Sequence, residues 1–103
     1  MKYKNQYHMK TGIELIVEER KRQIEEEGYD AKHDSEHSYT EFIQAANCYL
    51  NGMPCHGPWP WDLNSFKPKN VVRDLVRAGA LIAAALDRFK EGNPEYFEKL
   101  ADA

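Results

Sequence analysis

The stretch Asn70–Lys90, NVVRDLVRAGALIAAALDRFK, decides the fold. Asparagine is a preferred helix N-cap, and no proline occurs between it and Gly92. Val71, Leu75, Ala78, Gly79, Ile82, Leu86 and Phe89 recur at the spacing of one helix face. That spacing predicts a long helix over 71–90 with the stripe buried. Ala78-Gly79-Ala80 and Ala83-Ala84-Ala85 carry little side-chain bulk, so a second helix can approach closely, and a homodimer through this small-residue surface is expected. Gly92 ends the helix. Asn93-Pro94 then restarts a short one, docked by Tyr96, Phe97 and Leu100, with Asn as cap and Pro at the first position.

Upstream, residues 52–69 contain Pro54, Pro58, Pro60 and Pro68. Proline fixes φ and lacks a backbone donor, so neither a helix nor a central strand is expected here. Trp59-Pro60-Trp61 is too apolar for a free linker, and a loop folded back over the helices is predicted. Before it, Ser38-Tyr39-Thr40-Glu41 has the form of a capping box. Phe42, Ile43, Ala45, Ala46, Tyr49 and Leu50 come next, which predicts a helix over 39–50. Residues 29–37 show no apolar period and read as loop. Thr11-Gly12-Ile13-Glu14 is another capping box, opening a helix over 12–27 that Gly28 stops. Ile13, Ile16, Val17 and Ile24 form its apolar face, and Glu18, Glu19, Arg20, Lys21 and Arg22 its exposed one. Residues 1–10 read as an extended arm. The expectation is a single all-α domain over residues 1–103: a small bundle of three main helices, a short C-terminal helix and a long Pro/Trp-rich loop.

The chain has 103 residues, of which 42% are hydrophobic and 30% charged. That length fits one domain, and the balance is that of an ordinary soluble one. A net charge of -3 argues against general nucleic-acid binding. No apolar run reaches the roughly 20 residues of a membrane span. The first residues lack the apolar stretch of a signal peptide, and two cysteines are too few for a disulfide framework. A reducing, cytoplasmic setting is the expectation.

Four places could carry chemistry. In His33-Asp34-Ser35-Glu36-His37, the histidines are candidate general bases, and Asp34 is a candidate metal ligand. His33 and His37 could also complete a zinc site with Cys55 and His56. The spacing matches no standard zinc pattern, and a solvated helix entry is the plainer reading. Glu18, Glu19, Glu41 and Asp74 lie on three helices, and convergence of such carboxylates would suit Mg²⁺. The alternative for Asp74 is a salt bridge with Arg77 or Lys69. Lys69, Arg73 and Arg77 are spaced by four and line one face, as phosphate grips or as partners of the acidic first helix. Trp61 could stack a base, although packing over a small core is the favoured use of Trp59 and Trp61.

Taken in order, Glu19-Arg20-Lys21-Arg22-Gln23, Glu27-Gly28-Tyr29, His33 to His37, Glu41, Ala45 to Tyr49, Trp59-Pro60-Trp61, Lys67-Pro68-Lys69 and Arg73 to Ile82 resemble a group of small phage and prophage proteins. The likeness spans roughly residues 18–90 and brings no reaction with it. More distantly, the Glu-Arg-x-Arg-Gln stretch, the Gly and His after it, and the Ala/Val-rich helix over 74–86 are similar to the all-α nucleoside-triphosphate pyrophosphohydrolases of the MazG type. That likeness implies an oligomeric helical bundle holding Mg²⁺ between helices and splitting a nucleotide between its α and β phosphates. Such proteins use two Glu-x-x-Glu/Asp pairs on facing helices. Here that spacing falls at Glu27/Asp30, across Gly28, and at Glu95/Glu98 on the last helix.

The expectations are therefore a Mg²⁺-dependent, pyrophosphohydrolase-like protein or a non-catalytic phage accessory protein that binds a protein partner. In the first, Asp34, Glu41 and Asp74 hold the metal and His33 or His37 handles the attacking water. Lys69, Arg73 and Arg77 meet phosphate, and Trp61 meets the base.

Overall fold

A computed structural model describes residues 9–28, 38–51 and 59–101. Among them are four α-helices and no strand: α1 Gly12–Glu26, α2 Tyr39–Asn51, α3 Val71–Gly92 and α4 Pro94–Ala101, with one 3₁₀ turn over Leu63–Ser65. The fold is all-α. No described helix is long and apolar enough to cross a membrane.

Local chemistry sets the ends. The Glu14 amide donates to the Thr11 hydroxyl at 3.2 Å and the Thr11 amide to the Glu14 carboxylate at 2.8 Å. This closes the capping box read from the sequence. The Arg73 amide donates to the Asn70 side chain at 2.9 Å, an N-cap contact. At α2 the Glu41 amide donates to the Ser38 carbonyl at 3.1 Å. The Ser38 hydroxyl meets the Thr40 hydroxyl, and the Glu41 carboxylate reaches across to Trp61. Asn93 turns the chain into α4, its side chain donating to the Phe89 carbonyl at 3.0 Å.

The core lies between α2 and α3. Tyr39, at the start of α2, meets Phe89, near the end of α3, edge to face. Tyr49, near the end of α2, lies under Arg77, in the first half of α3. The two helices therefore run antiparallel. Ala45 and Ala46 on one side and Ala78, Ala84 and Ala85 on the other are all buried. The backbones thus approach closely, and Phe42 and Leu81 fill the remaining space. The segment from Trp59 onward closes one side. Trp59 is buried, and Tyr49, Trp59, Trp61, Phe66 and Phe42 form a chain of ring contacts with centroids 4.8–5.6 Å apart. Both indole N–H groups are satisfied, as buried indoles usually are. Trp59 donates to the Asp62 carbonyl and the Ser65 hydroxyl, and Trp61 to Glu41.

Two predicted faces are corrected. On α1, Ile13 is 76% and Val17 58% exposed, while Glu19, placed on the outside by its charge, is 2% exposed. On α3, Leu75, Ile82 and Leu86 face outward, and the inward face is Val76, Ala78, Ala80, Leu81, Ala84 and Ala85. The physical reason is close packing: the Ala-rich face permits the shorter approach to α2, and the bulky stripe beside it cannot occupy the same seam. α1 crosses α3 where Ile16 rests on Gly79. A Cβ at Gly79 would meet Ile16 Cδ1 at 2.6 Å and Cγ1 at 2.9 Å.

Gly79→Val is expected to lose about 1–3 kcal/mol by overpacking this crossing. Urea unfolding checks it. The double variant with Ile16→Ala recovers part of the loss, and a single variant as stable as the parent would contradict the crossing.

Candidate functional site

α1 turns Glu19, Arg22 and Gln23, all within about one helical turn, toward α3. A carboxylate buried this deeply needs compensation, because desolvation costs an ion several kcal/mol. Arg22 supplies a two-pronged grip, Nε to Oε1 at 2.9 Å and Nη2 to Oε2 at 2.8 Å, the strong geometry for this pair. From α3, Arg73 Nη2 reaches Oε1 at 2.7 Å, and Gln23 Nε2 lies 3.4 Å from Oε2. Arg22 Nη1 continues to Glu27 Oε2 at 3.0 Å. Burial by itself pushes the Glu19 carboxyl up. The hydrogen bonds and charges of Arg22 and Arg73 outweigh that and hold it below its ordinary value of 4.5.

Next to this cluster the ends of α1 and α2, the start of α3 and the Trp59–Lys67 segment meet around a cavity of ≈ 10 Å³, the room of a single water. Tyr49, Trp59, Lys67 and Arg77 line it together with Arg22 and Gln23. The Tyr49 hydroxyl accepts from the Lys67 amide at 3.0 Å, and burial keeps the phenol above its usual range. Arg77 donates through Nη1 to the Lys67 carbonyl. Its guanidinium carbon lies 5.7 Å from the Tyr49 ring centre, a cation–π contact. Gln23 Oε1 is buried with no donor among the described residues.

The candidates from the sequence are distributed as follows. His33, Asp34, His37, Cys55 and His56 lie outside the described residues. Glu41 accepts from Trp61 Nε1 at 3.0 Å. It precedes Tyr49 by eight residues, about 12 Å of helix rise. It therefore lies toward the far end of the antiparallel pair from Asp74. Asp74 Oδ1 accepts from the Lys69 amide at 2.9 Å, in a groove beside Leu50 and Asn51. Its contact with Lys69 is to the backbone rather than the ammonium. Glu41 and Asp74 do not fit one shared ion, and among the described residues no three His, Cys, Asp or Glu side chains gather to hold a metal. Arg73, read as a phosphate grip, is turned onto Glu19, which matches the alternative pairing with the first helix. Arg77 lies one turn on from Arg73 along α3, Lys69 precedes the Asn70 cap outside the helix, and Trp61 lies half-buried over Phe42.

Sequence reasoning missed Gln23 and Tyr49 as site residues and placed Glu19 on the wrong side. The available signal was the pairing of Glu19 with Gln23 four residues on, which puts two polar groups on one face opposite the Ile13–Val17 face. No family model, curated protein or solved structure matches the chain.

The Glu19 cluster sets an acid limit. The folded-state pKa is below the unfolded one, so the unfolded chain takes up the proton first. The stabilisation is complete above about pH 4.5 and is lost as pH falls through the folded-state value. In Glu19→Gln that part of the pH dependence disappears. Its urea midpoint is lower than the parent's at neutral pH, because two arginines lose their charged acceptor. Midpoints measured from neutral pH to below pH 4 by circular dichroism check this; parallel curves for the two proteins would contradict it.

Proposed function

We propose that this chain is a phage-type helical protein that binds a nucleotide through its phosphates, with cleavage between the α and β phosphates of a nucleoside triphosphate as the associated reaction. The observation supporting it is the pair Lys67 and Arg77 at the meeting of α1, α2 and α3. Among the described residues no carboxylate lies within ion-pair distance of either, although Glu19 and Glu27 are in the same cluster. Arg77 spends one N–H on a backbone carbonyl and keeps the rest of its guanidinium fork for an oxyanion. The Tyr49 ring supports that fork from one side. Lys69, just ahead of the Asn70 cap, adds a cation, exposed while its amide is held by Asp74.

The pyrophosphohydrolase reaction rests on the more distant MazG-type resemblance of the Glu19–Gln23 stretch, the Gly and His after it, and the Ala/Val-rich helix over 74–86. Magnesium would supply charge neutralisation of the phosphates. Glu41 and Asp74 are held apart, each on a partner of its own. The contribution assigned to this chain's own residues is binding: Arg77, Lys67 and Lys69 take phosphate oxygens, and Trp61 offers a ring face near the same segment.

A second reading, a non-catalytic accessory protein that docks a protein partner, is favoured by one observation. The two described carboxylates expected to hold metal are spent on Trp61 and on the Lys69 backbone.

Calorimetric titration with nucleoside triphosphates, with pyrophosphate release followed in Mg²⁺ or Mn²⁺, separates the readings. Binding that weakens by roughly tenfold or more in Arg77→Ala is expected, the size of a charge-assisted hydrogen-bond pair. Binding without pyrophosphate release keeps the phosphate site and removes the reaction. No binding of any nucleotide, or equal binding by the variant, contradicts the proposal.

A further inference from the structure

Gln23 and Tyr49 come from different helices and line the same small cavity, ≈ 10 Å³ in volume. Gln23 is 3% exposed and Tyr49 6%. α1 and α2 each pack on α3, and among the described residues their backbones make no close approach to one another. At this corner each helix brings one polar group with an unmet need. Glu19 orients the Gln23 amide. Its Nε2 lies 3.4 Å from Glu19 Oε2, and turning the amide over would set its oxygen against the carboxylate. Oε1 is thereby left as an acceptor with no donor. Tyr49 has the opposite need. Its oxygen accepts from the Lys67 amide. Burial holds the phenol above its usual range, so it keeps its proton at neutral pH. Among the described residues that proton has no acceptor. The phenol does not reach Gln23 directly, since Oε1 has no partner within hydrogen-bond distance.

We infer that the cavity is a binding site for one water molecule, which accepts from the Tyr49 hydroxyl and donates to Gln23 Oε1, joining α1 to α2. The water's second hydrogen has Glu27 as its acceptor. Glu27 lines the same cavity and spends Oε2 on Arg22. Three polar partners are the usual complement of a buried water, and the volume is that of one. The lining disfavours an ion of either sign. A cation would lie among Arg22, Lys67 and Arg77, in front of a phenol that donates. An anion would face Gln23 Oε1 and the carboxylates of Glu19 and Glu27. A neutral molecule that both donates and accepts satisfies the two sides together, and a buried polar group left without such a partner is costly. The same water steadies the Tyr49 ring, whose centre lies 5.7 Å from the Arg77 guanidinium carbon. The inference needs no nucleotide and stands apart from the phosphate reading.

A crystal structure of the parent at a resolution that shows ordered water tests it. One peak is expected within roughly 2.5–3.0 Å of both Gln23 Oε1 and the Tyr49 hydroxyl oxygen. An empty cavity, a direct bond between the two side chains, or a peak that takes on bromine's anomalous signal in sodium bromide overturns it. The link between the helices is read by a double-mutant cycle in urea with Gln23→Met and Tyr49→Phe. Each single variant is expected to lose on the order of fivefold in the folding equilibrium constant, the worth of one hydrogen bond. The double variant is expected to lose less than the product of the two. Losses that simply multiply overturn the link. Should either variant fail to fold, the density in the parent decides.

Discussion

The orientation of α1 depends on one buried carboxylate. Glu19 is almost wholly removed from water, and it stays ionised because Arg22 from its own helix and Arg73 from α3 close on both of its oxygens. Fixing that triad fixes which side of α1 meets α3. With Glu19 and Gln23 inward, Ile13 and Val17 turn to solvent and Ile16 is set on Gly79. A hydrophobic contact could slide along a helix at little cost. A two-pronged guanidinium–carboxylate contact cannot, because a shift of one residue would leave a buried charge unpaired. The triad thus acts as a register lock more than as a net source of stability.

The α2/α3 pair follows a different rule. Its seam is built from alanines with Phe42 and Leu81 between them, and its order comes from close packing rather than from charge. The aromatic segment from Trp59 to Phe66 then covers the open side. Each indole N–H has an acceptor, so the rings can be buried without an orphaned donor. The consequence is a chain with two kinds of surface: a cationic corner around Lys67 and Arg77, and an apolar groove between α2 and α3.

Much of the fold was legible in the sequence. Thr11 and Asn70 cap where their side chains and neighbours say they should. The helix limits over 12–26, 39–51 and 71–92 depart by one or two residues from those read off the period. Local chemistry determines these features, and local chemistry is what a sequence displays. The faces were not legible. Periodicity reveals that Leu75, Ile82 and Leu86 share a side of α3, but whether that side meets α2 or another surface depends on the alanine side being able to pack closer. Glu19 was misplaced because its second partner, Arg73, is 54 residues away along the chain. Arg73 and Arg77 lie one turn apart on α3, while Lys69 precedes the Asn70 cap and falls outside the helix; Arg73 serves the core and Arg77 does not, a distinction set by tertiary contact alone.

The most direct test of this account is a double-mutant cycle between Glu19→Ala and Arg73→Ala, with unfolding free energies measured in urea at neutral pH. A register lock predicts a coupling energy in the range of about 1–3 kcal/mol, because each single variant leaves a charge without its partner and the second substitution then costs little more. Additive losses, with a coupling near zero, would mean that the two side chains do not hold one another, and that the facing of α1 has another cause.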